Sequence, residues 1–215
     1  MAKPVAVILG AGPGIGLATA RAFHAEGFRV GLVARPGDPL EAWSRELDGA
    51  PVLGVEAGRS EPLQGALAAL EAALGWPEVL IWNASAGAQG PAAGLTPEQA
   101  LADLQVNVLG PLAAVRWALP AMRAAGHGTL LFTGGGLALQ PKAGLASAAL
   151  GKAALRSLAL SLGEELAPAG IHAATLTICG FVQAGTALDA EKVANVFWEL
   201  HCQARDRWTY EIIVR

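Results

Sequence analysis

The stretch Val5-Ala-Val-Ile-Leu-Gly-Ala-Gly-Pro-Gly-Ile-Gly16 joins an apolar run directly to four closely spaced glycines. The run predicts a buried strand, and the residues from Ile15 and Leu17 onward predict a helix that packs on the sheet. Glycines let the backbone turn sharply and approach a bound group, while the amino terminus of the helix offers free N–H groups to an anion. The stretch therefore indicates a phosphate-binding turn, although a purely structural glycine-rich turn fits the same pattern.

The alternation of short apolar runs with longer segments of helical spacing continues along all 215 residues. Strands are predicted at Val5–Leu9, Arg29–Val33, Val52–Val55, Val79–Trp82, Gly128–Phe132, Ile171–Thr177 and Tyr210–Val214. Helices are predicted to begin near Ile15, Leu40, Pro62, Pro97, Ser147 and Ala190, with Asp38, Ser60, Thr96 and Asp189 as caps. Most of the runs are apolar throughout, which is typical of strands with helices on both faces. We therefore expect an α/β, doubly wound, seven-stranded, mostly parallel sheet in a single domain of residues 1–215.

The composition narrows the classes of partner. Apolar residues make up 53% of the chain and charged residues 15%, with a net charge of -3, which favours a large core and disfavours nucleic acid as a partner. The two cysteines, Cys179 and Cys202, lack the paired spacing of a zinc site, so no metal is expected. No uncharged apolar stretch is long enough to span a bilayer, and glycines interrupt the first apolar run. We expect a soluble cytoplasmic protein without a membrane partner.

Further residues extend the glycine motif into a recognisable set. The motif reads Gly10-x-x-x-Gly14-x-Gly16, Asn83-Ala84 ends the fourth strand, Asn107 lies within a predicted long helix, and Lys152 lies near the start of the next helix. In these features the chain resembles the short-chain dehydrogenase/reductase family over essentially its whole length. The resemblance implies a Rossmann-type fold that binds a nicotinamide dinucleotide.

The resemblance also assigns individual residues. Val182, in Cys179-Gly-Phe-Val182 after the sixth strand, stands where the family contacts the nicotinamide amide. The implied cofactor site consists of Gly10, Gly14, Ile15, Gly16, Asn83, Ala84, Lys152 and Val182. About thirty residues follow Val182, so we expect only a short substrate lid, with Ala184–Leu188 as its remnant. Leu137, Gln140, Trp82 and Phe181 fit a mostly apolar substrate pocket and equally fit the core.

The end of the second strand bears on the choice of cofactor. Arg35 follows Val33-Ala34, where an acidic residue would bind the ribose 2′-hydroxyl and a basic residue a 2′-phosphate. The arginine favours NADP(H), with NAD(H) the lesser alternative, although a simply solvated arginine fits the same position. Gly58 stands where the family has an aspartate that meets the adenine, which leaves the adenine contacts open.

The catalytic residues that the resemblance implies are incomplete. Asn107 and Lys152 are present, but the tyrosine four residues before the lysine corresponds to Ala148 and the serine thirteen residues earlier to Gly135. The chain thus resembles an atypical branch that lacks the catalytic tyrosine. The one tyrosine, Tyr210, is expected to be a half-buried residue of the last strand.

Several substitutes for the missing acid fit the sequence. Lys152 donates the proton through a water held with Asn107, or Ser85 orients a substrate oxygen, or Lys152 only binds the ribose hydroxyls. Two functions follow: an NADP(H)-dependent oxidoreductase acting on a small carbonyl or alcohol with a non-standard proton donor, or an NADP(H)-binding protein with little or no turnover. The segment 146–166 is apolar on nearly every side, so we also expect a homodimer or homotetramer.

Overall fold

The computed structural model describes residues 3–215 of the chain and contains one seven-stranded sheet. Its strands are β1 (Val5–Leu9), β2 (Arg29–Ala34), β3 (Val52–Gly54), β4 (Val79–Trp82), β5 (Gly128–Gly135), β6 (Ile171–Ile178) and β7 (Glu211–Val214). The spatial order is β3-β2-β1-β4-β5-β6-β7, and all six neighbouring pairs are parallel. The predicted doubly wound α/β sheet is confirmed, and it is parallel throughout.

Seven α-helices surround the sheet. They are α1 (Ile15–Ala25), α2 (Leu40–Glu46), α3 (Ser60–Leu74), α4 (Pro97–Leu104), α5 (Gly110–Ala125), α6 (Ala146–Leu166) and α7 (Ala190–His201). One core cluster joins the sheet to α1, α2 and α7, and a second joins it to α3, α5 and α6. Because both faces are covered, strands such as β1 and β6 are buried along their whole length. The single-domain organisation of residues 1–215 stays a prediction.

Two of the four predicted helix caps are confirmed. Thr96 forms a capping box with Gln99 at the start of α4, and the Asp189 carboxylate accepts a hydrogen bond from the Glu191 N–H of α7. The prediction was wrong for Asp38, because its carboxylate accepts from the Arg35 N–H while Pro39 stands at the start of α2. Ser60 is also not a cap, since it is already the first residue of α3.

The long helix that the sequence predicted around Asn107 is interrupted. A π-helical segment, Gln105–Leu109, separates α4 from α5 and carries Asn107 on its inner side. Gly110 follows it, and a Cβ there would come within 2.5 Å of the Trp82 ring. A π turn is wider than an α turn, so it rotates the side chains that follow it around the helix axis. The spacing of apolar residues in the sequence does not reveal this rotation.

Within residues 3–215, the helices are all too short or too polar to cross a membrane.

Candidate functional site

A cleft of about 1040 Å³ opens at the carboxyl edge of the sheet. The strand order reverses beside β1, which has β2 on one side and β4 on the other, and parallel sheets bind ligands in the crevice at such a point. The cleft is lined by the glycine-rich turn, by the ends of β4, β5 and β6, and by the segments that follow them: Gly12, Gly14, Ile15, Gly16, Asn83, Ser85, Thr133 to Leu137, Leu139, Gln140, Lys142, Leu145, Lys152, Ile178 to Val182 and Arg215.

Two glycines of the turn are required by close packing. Gly10 has a φ of +91°, and a Cβ there would lie 2.2 Å from the Ala84 nitrogen. A Cβ at Gly16 would lie 2.5 Å from the Gly10 carbonyl oxygen. Side chains at either position would therefore separate the start of α1 from the loop after β4.

The remaining glycines leave the start of α1 open to the cleft. Cβ atoms at Gly12 and Gly14 would meet nothing within 4 Å. No side chain caps α1, its first turn holds no acidic residue, and the N–H groups of Gly14, Ile15 and Gly16 have no backbone acceptor within residues 3–215. These free donors and the positive end of the helix dipole form a site that suits a phosphate group.

Asn83 connects the three central strand ends. Its Nδ2 donates to the Gly10 carbonyl at 2.8 Å, and its Oδ1 accepts from the Thr133 hydroxyl at 2.8 Å. The Ala84 N–H donates to the Leu9 carbonyl at 3.0 Å. The neighbouring Trp82 does not line the cleft, because it is buried in the core and its Nε1 donates to the Ala84 carbonyl. Asn83 thus holds the glycine-rich turn beside β4 and β5.

Lys152 lies in the cleft on the first turns of α6. Its Nζ donates to the Thr133 carbonyl at 2.7 Å, and no carboxylate within residues 3–215 forms an ion pair with it. Burial of the ammonium lowers the pKa of Lys152 to about 8. An acid with such a pKa is well matched to proton transfer near neutral pH.

The two positions that the sequence compared with the missing hydroxyls flank Lys152. A Cβ at Gly135 would lie 3.5 Å from the side-chain carbons of Lys152, so the position adjoins the lysine. Ala148 lies one turn before Lys152 on α6, and a Cβ at Gly87 would come within 2.6 Å of the Ala148 Cβ. The loop after β4 therefore packs directly on Ala148.

Asn107 uses its side chain to hold the loop after β4. Its Oδ1 accepts from the Ala86 N–H at 3.1 Å and the Ser85 hydroxyl at 3.3 Å, while its Nδ2 donates to the Ala86 carbonyl at 2.7 Å. The side chain is 1% exposed and lies against Gly151, where a Cβ would come within 2.3 Å of its Nδ2. Asn107 therefore acts on the cleft through Ser85, which lines it.

Arg35 follows β2 and lies outside the lining of the cleft. Its side chain is 80% exposed, and its Nε lies 3.8 Å from the Asp38 carboxylate. Asp38 is the acidic group at this strand end, although it belongs to the following turn rather than to the strand itself. At Gly58, a Cβ would lie 2.6 Å from a methyl carbon of Val106, so a side chain there would displace the π-helical segment.

The connection from β6 to α7 is a turn closed by its own hydrogen bonds. Val182 is 38% exposed and lines the cleft beside Phe181, which is 93% exposed. The Gln183 N–H donates to the Leu188 carbonyl, and the Leu188 side chain is buried against Gly180. The Gly185 N–H donates to the Asp189 carboxylate, and this bond contributes most to lowering the pKa of Asp189. The segment 184–188 is thus a compact turn.

Tyr210 lies away from the cleft. It precedes β7, so it stands at the amino end of that strand while the cleft adjoins the carboxyl end. Its ring lies against α6, where a Cβ at Gly163 would meet it at 2.7 Å. Tyr210 therefore does not take the place of the missing acid.

The sequence analysis missed several residues that line the cleft, among them Thr133, Lys142, Cys179 and Arg215. Thr133 and Cys179 follow from strand ends, because the carboxyl ends of parallel strands meet at one edge. Arg215 follows β7 in the same way. Lys142 lies in the long connection between β5 and α6, and no strand pattern indicates it.

The parallel sheet, the open start of α1 and the cleft at the switch point together define a dinucleotide-binding α/β protein.

Comparison with known proteins identifies the family. The family model described as short chain dehydrogenase matches residues 4–195, and the chain belongs to this family. It is 32% identical over 169 residues to the oxidoreductase asL5 of Sarocladium schorii, covering 78% of this chain and 68% of that protein. It is 33% identical over 193 residues to human 17-beta-hydroxysteroid dehydrogenase type 1, covering 84% of this chain and 57% of that longer protein.

A solved structure agrees in both fold and extent. The crystal structure of a metagenomic short-chain oxidoreductase in complex with NADP superposes with a TM-score of 0.87 at 29% identity. The superposition covers 100% of this chain and 98% of that one.

Proposed function

We propose that this chain is an NADP(H)-dependent oxidoreductase that transfers a hydride to or from a small carbonyl or alcohol, with Lys152 as the proton donor. The observation that carries the proposal is the Lys152 ammonium, which lies in the cleft with its pKa lowered to about 8. The NADP bound to the metagenomic relative supports the choice of cofactor.

The proposed cofactor site runs from the adenosine side to the centre of the cleft. Arg35 would bind the 2′-phosphate, and the free N–H groups of Gly14, Ile15 and Gly16 would bind the pyrophosphate. Gly10, Asn83 and Ala84 shape the turn, while Lys152 and Val182 would contact the nicotinamide end. The bound cofactor supplies or accepts the hydride.

Lys152 would complete the reduction of a carbonyl by a proton transfer. The carbonyl carbon gains a hydride and the oxygen becomes an alkoxide, which takes a proton from the Lys152 ammonium. The lysine is then a neutral amine, and solvent in the open cleft returns its proton. The Thr133 carbonyl holds Nζ through one hydrogen bond, which leaves the other N–H groups for the substrate oxygen or a ribose hydroxyl.

Asn107 would act as a positioning residue in this reaction. Its amide is engaged with Ser85 and Ala86, so it fixes the loop rather than contacting the substrate. Ser85 donates its hydroxyl proton to Asn107 and thereby keeps its oxygen lone pairs free to accept a hydrogen bond in the cleft.

The substitution Lys152→Arg tests the proton donor. Arginine keeps a positive charge that can hold a ribose hydroxyl, but its pKa lies so far above neutral that it is a poor acid. We expect NADPH affinity to change by less than about threefold while the turnover of reducible carbonyls falls by about 10²- to 10⁴-fold. In the unmodified protein, kcat/KM for reduction should fall as the pH rises through about 8. Lys192→Arg, on the surface of α7, serves as the matched control.

Two results would contradict this role. Full turnover in Lys152→Arg would remove Lys152 as the donor, and NADPH consumption that stays flat between pH 7 and pH 9 would do the same. The alternative of a binding protein with little turnover is favoured by Gly135, beside Lys152, and Ala148, one turn before it, neither of which carries a hydroxyl group. Tight NADPH binding without oxidation across a broad panel of carbonyls would support that alternative.

A further inference from the structure

The cleft carries an excess of positive charge that the proposed hydride transfer does not use. Lys142, Lys152 and Arg215 line it, and its lining contains no aspartate or glutamate. The chain as a whole has 18 acidic and 15 basic residues, so the surface of the cleft is opposite in charge to the protein. Within residues 3–215, the side chains of Lys142 and Arg215 form no ion pair with any carboxylate.

Arg215 lies on the side of the cleft away from the glycine-rich turn. Val214 pairs with Ile178, and the Cys179 N–H donates to the Val214 carbonyl at 2.9 Å, so Arg215 flanks the segment that leads to Val182. β7 lies four strand positions from β1, which corresponds to about 19 Å at the usual strand spacing. This separation exceeds the reach of an arginine side chain, so Arg215 does not serve a phosphate at the turn.

Lys142 reaches the same cleft from a different connection. It lies between β5 and α6, and its carbonyl accepts from the Leu145 N–H at 2.9 Å. The adjoining Gly144 carbonyl accepts from the Gly90 N–H, which holds this connection beside the loop after β4. Both Lys142 and Arg215 are therefore supported by hydrogen-bonded backbone at the mouth of the cleft.

Part of the cleft that these two cations line is apolar. Leu137, Leu139, Phe181 and Val182 all line the cleft. An apolar lining suits a carbon skeleton, whereas two unpaired cations suit an anionic group on that skeleton.

We propose that the cleft selects carbonyl substrates that carry an acidic group, a carboxylate or a phosphate, which Lys142 and Arg215 bind while the carbonyl lies at Lys152. This proposal rests on the proposed function, because it names the substrate class of the same site. The acidic group would orient the substrate, since the two cations attract it while the apolar part packs on residues such as Leu137 and Val182.

Matched pairs of carbonyl compounds test the selection. Levulinate is compared with its methyl ester, and dihydroxyacetone phosphate with dihydroxyacetone, as oxidants of NADPH. We expect kcat/KM to be at least about tenfold higher for the anionic member of one pair, because hydrogen bonds to charged groups are worth more than neutral ones. The pair that shows the preference identifies carboxylate or phosphate as the group.

Substitutions then assign the preference to the two side chains. Arg215→Met and Lys142→Met should each lower kcat/KM for the preferred anion by about 10- to 100-fold and leave the neutral partner and NADPH affinity within about threefold. Arg123→Met, which removes an exposed cation paired with Glu165, is the control and should leave both unchanged.

A binding measurement separates the failure of this proposal from the failure of the proposed function. Calorimetric titration of the NADPH-bound protein with 4-hydroxypentanoate requires no turnover, and the affinity should fall in Arg215→Met. If NADPH is oxidised by neutral and anionic carbonyls equally and the variants match the parent, the anion site is wrong while the proposed function stands. If no carbonyl is reduced but the anion binds and Arg215→Met weakens it, the anion site stands and the function is wrong.

Discussion

At the scale of single residues, the end of β2 combines two opposite charges. Arg35 is 80% exposed and free to turn towards a ligand, and the Asp38 carboxylate accepts from the backbone N–H of the same residue. A 2′-phosphate would be attracted by the guanidinium and repelled by the carboxylate. The arginine side chain is 80% exposed and that of the aspartate 15%, so we expect the arginine to dominate the selection between the two nicotinamide cofactors.

The substitution Arg35→Ala tests this expectation. NADPH affinity should fall by about 10- to 100-fold because a charge-assisted contact to phosphate is lost, while NADH affinity should change by less than about threefold. Fluorescence titration with both cofactors measures the ratio of dissociation constants. Arg45→Ala, an exposed arginine on α2, is the control. A ratio that stays unchanged in Arg35→Ala would rule out this assignment.

Residue positions differ in how far the sequence reveals them. The need for Gly10 and Gly16 is evident from spacing, because a strand that runs directly into a helix leaves no room for side chains at the turn. The use of the Asn107 side chain is not evident, because its partners Ser85 and Ala86 lie about twenty residues away and meet it only through the π turn. Arg215 was not predicted as a site residue, because only the order of the strands in the sheet brings the end of β7 to the cleft.

At the scale of elements, the last turn of α7 places His201 against aromatic rings of α1 and of the loop between α1 and β2. The imidazole packs beside Phe23, Phe28 and Trp198, and its Nδ1 lies 2.9 Å from the Thr129 hydroxyl. Burial contributes most to lowering its pKa to about 4, and the charges of His172 and His127 lower it further. The packing of α7 on α1 therefore requires a neutral imidazole.

This packing predicts a loss of stability in mild acid. The unfolded chain binds a proton at His201 below about pH 6.5, whereas the folded chain does so only near pH 4. The contribution of His201 to the free energy of unfolding should thus be constant above about pH 6.5 and fall by about 2 kcal/mol towards pH 4, after allowance for the partly exposed edge of the ring. Urea denaturation across this range measures it. His201→Phe should reduce the fall without removing it, because the pKa of His172 is also lowered by burial, and His24→Gln should leave the fall unchanged. Equal slopes in all three proteins would contradict the assignment.

The sequence predicts the strands and helices well, but it predicts the residues at which they end less accurately. All seven strands were predicted from apolar runs, but β5 and β6 extend further at their carboxyl ends, to Gly135 and Ile178. Those added residues continue the hydrogen-bonded pairing of β5 with β6. This pairing joins segments that are distant in the sequence, so the local pattern of apolar residues does not predict it. The break between α4 and α5 was missed for the same reason.

At the scale of the whole molecule, one group of helices presents apolar residues to solvent. Leu109 of the π-helical segment, Leu112 of α5 and Leu150 of α6 are all large and exposed. On α6 the exposed side continues through Ala153, Ser157 and Ser161, so the helix is not buried on every side within one chain. Small residues along a helix allow a second helix to approach closely, which fits a symmetric copy of this chain.

Association through this face is a prediction with a direct test. Light scattering at micromolar concentration should give a homodimer or homotetramer, and Leu109→Glu with Leu150→Glu should shift it to a monomer that still binds NADPH. Trp76→Gln, which changes an exposed apolar residue on the loop after α3, should leave the mass unchanged. A monomer in the unmodified protein would contradict the prediction.

The compact turn between β6 and α7 has a kinetic consequence. Hydrogen bonds of Gln183, Gly185 and Asp189 close the segment on itself and on the start of α7, so this connection is too short to form a long flap over the reactants. In enzymes with such a flap, its opening can govern how quickly products depart. For the proposed reaction we therefore expect the product to leave the open cleft by diffusion and hydride transfer to be the slow step. Replacing the transferred hydrogen by deuterium should then slow steady-state turnover by its full intrinsic factor.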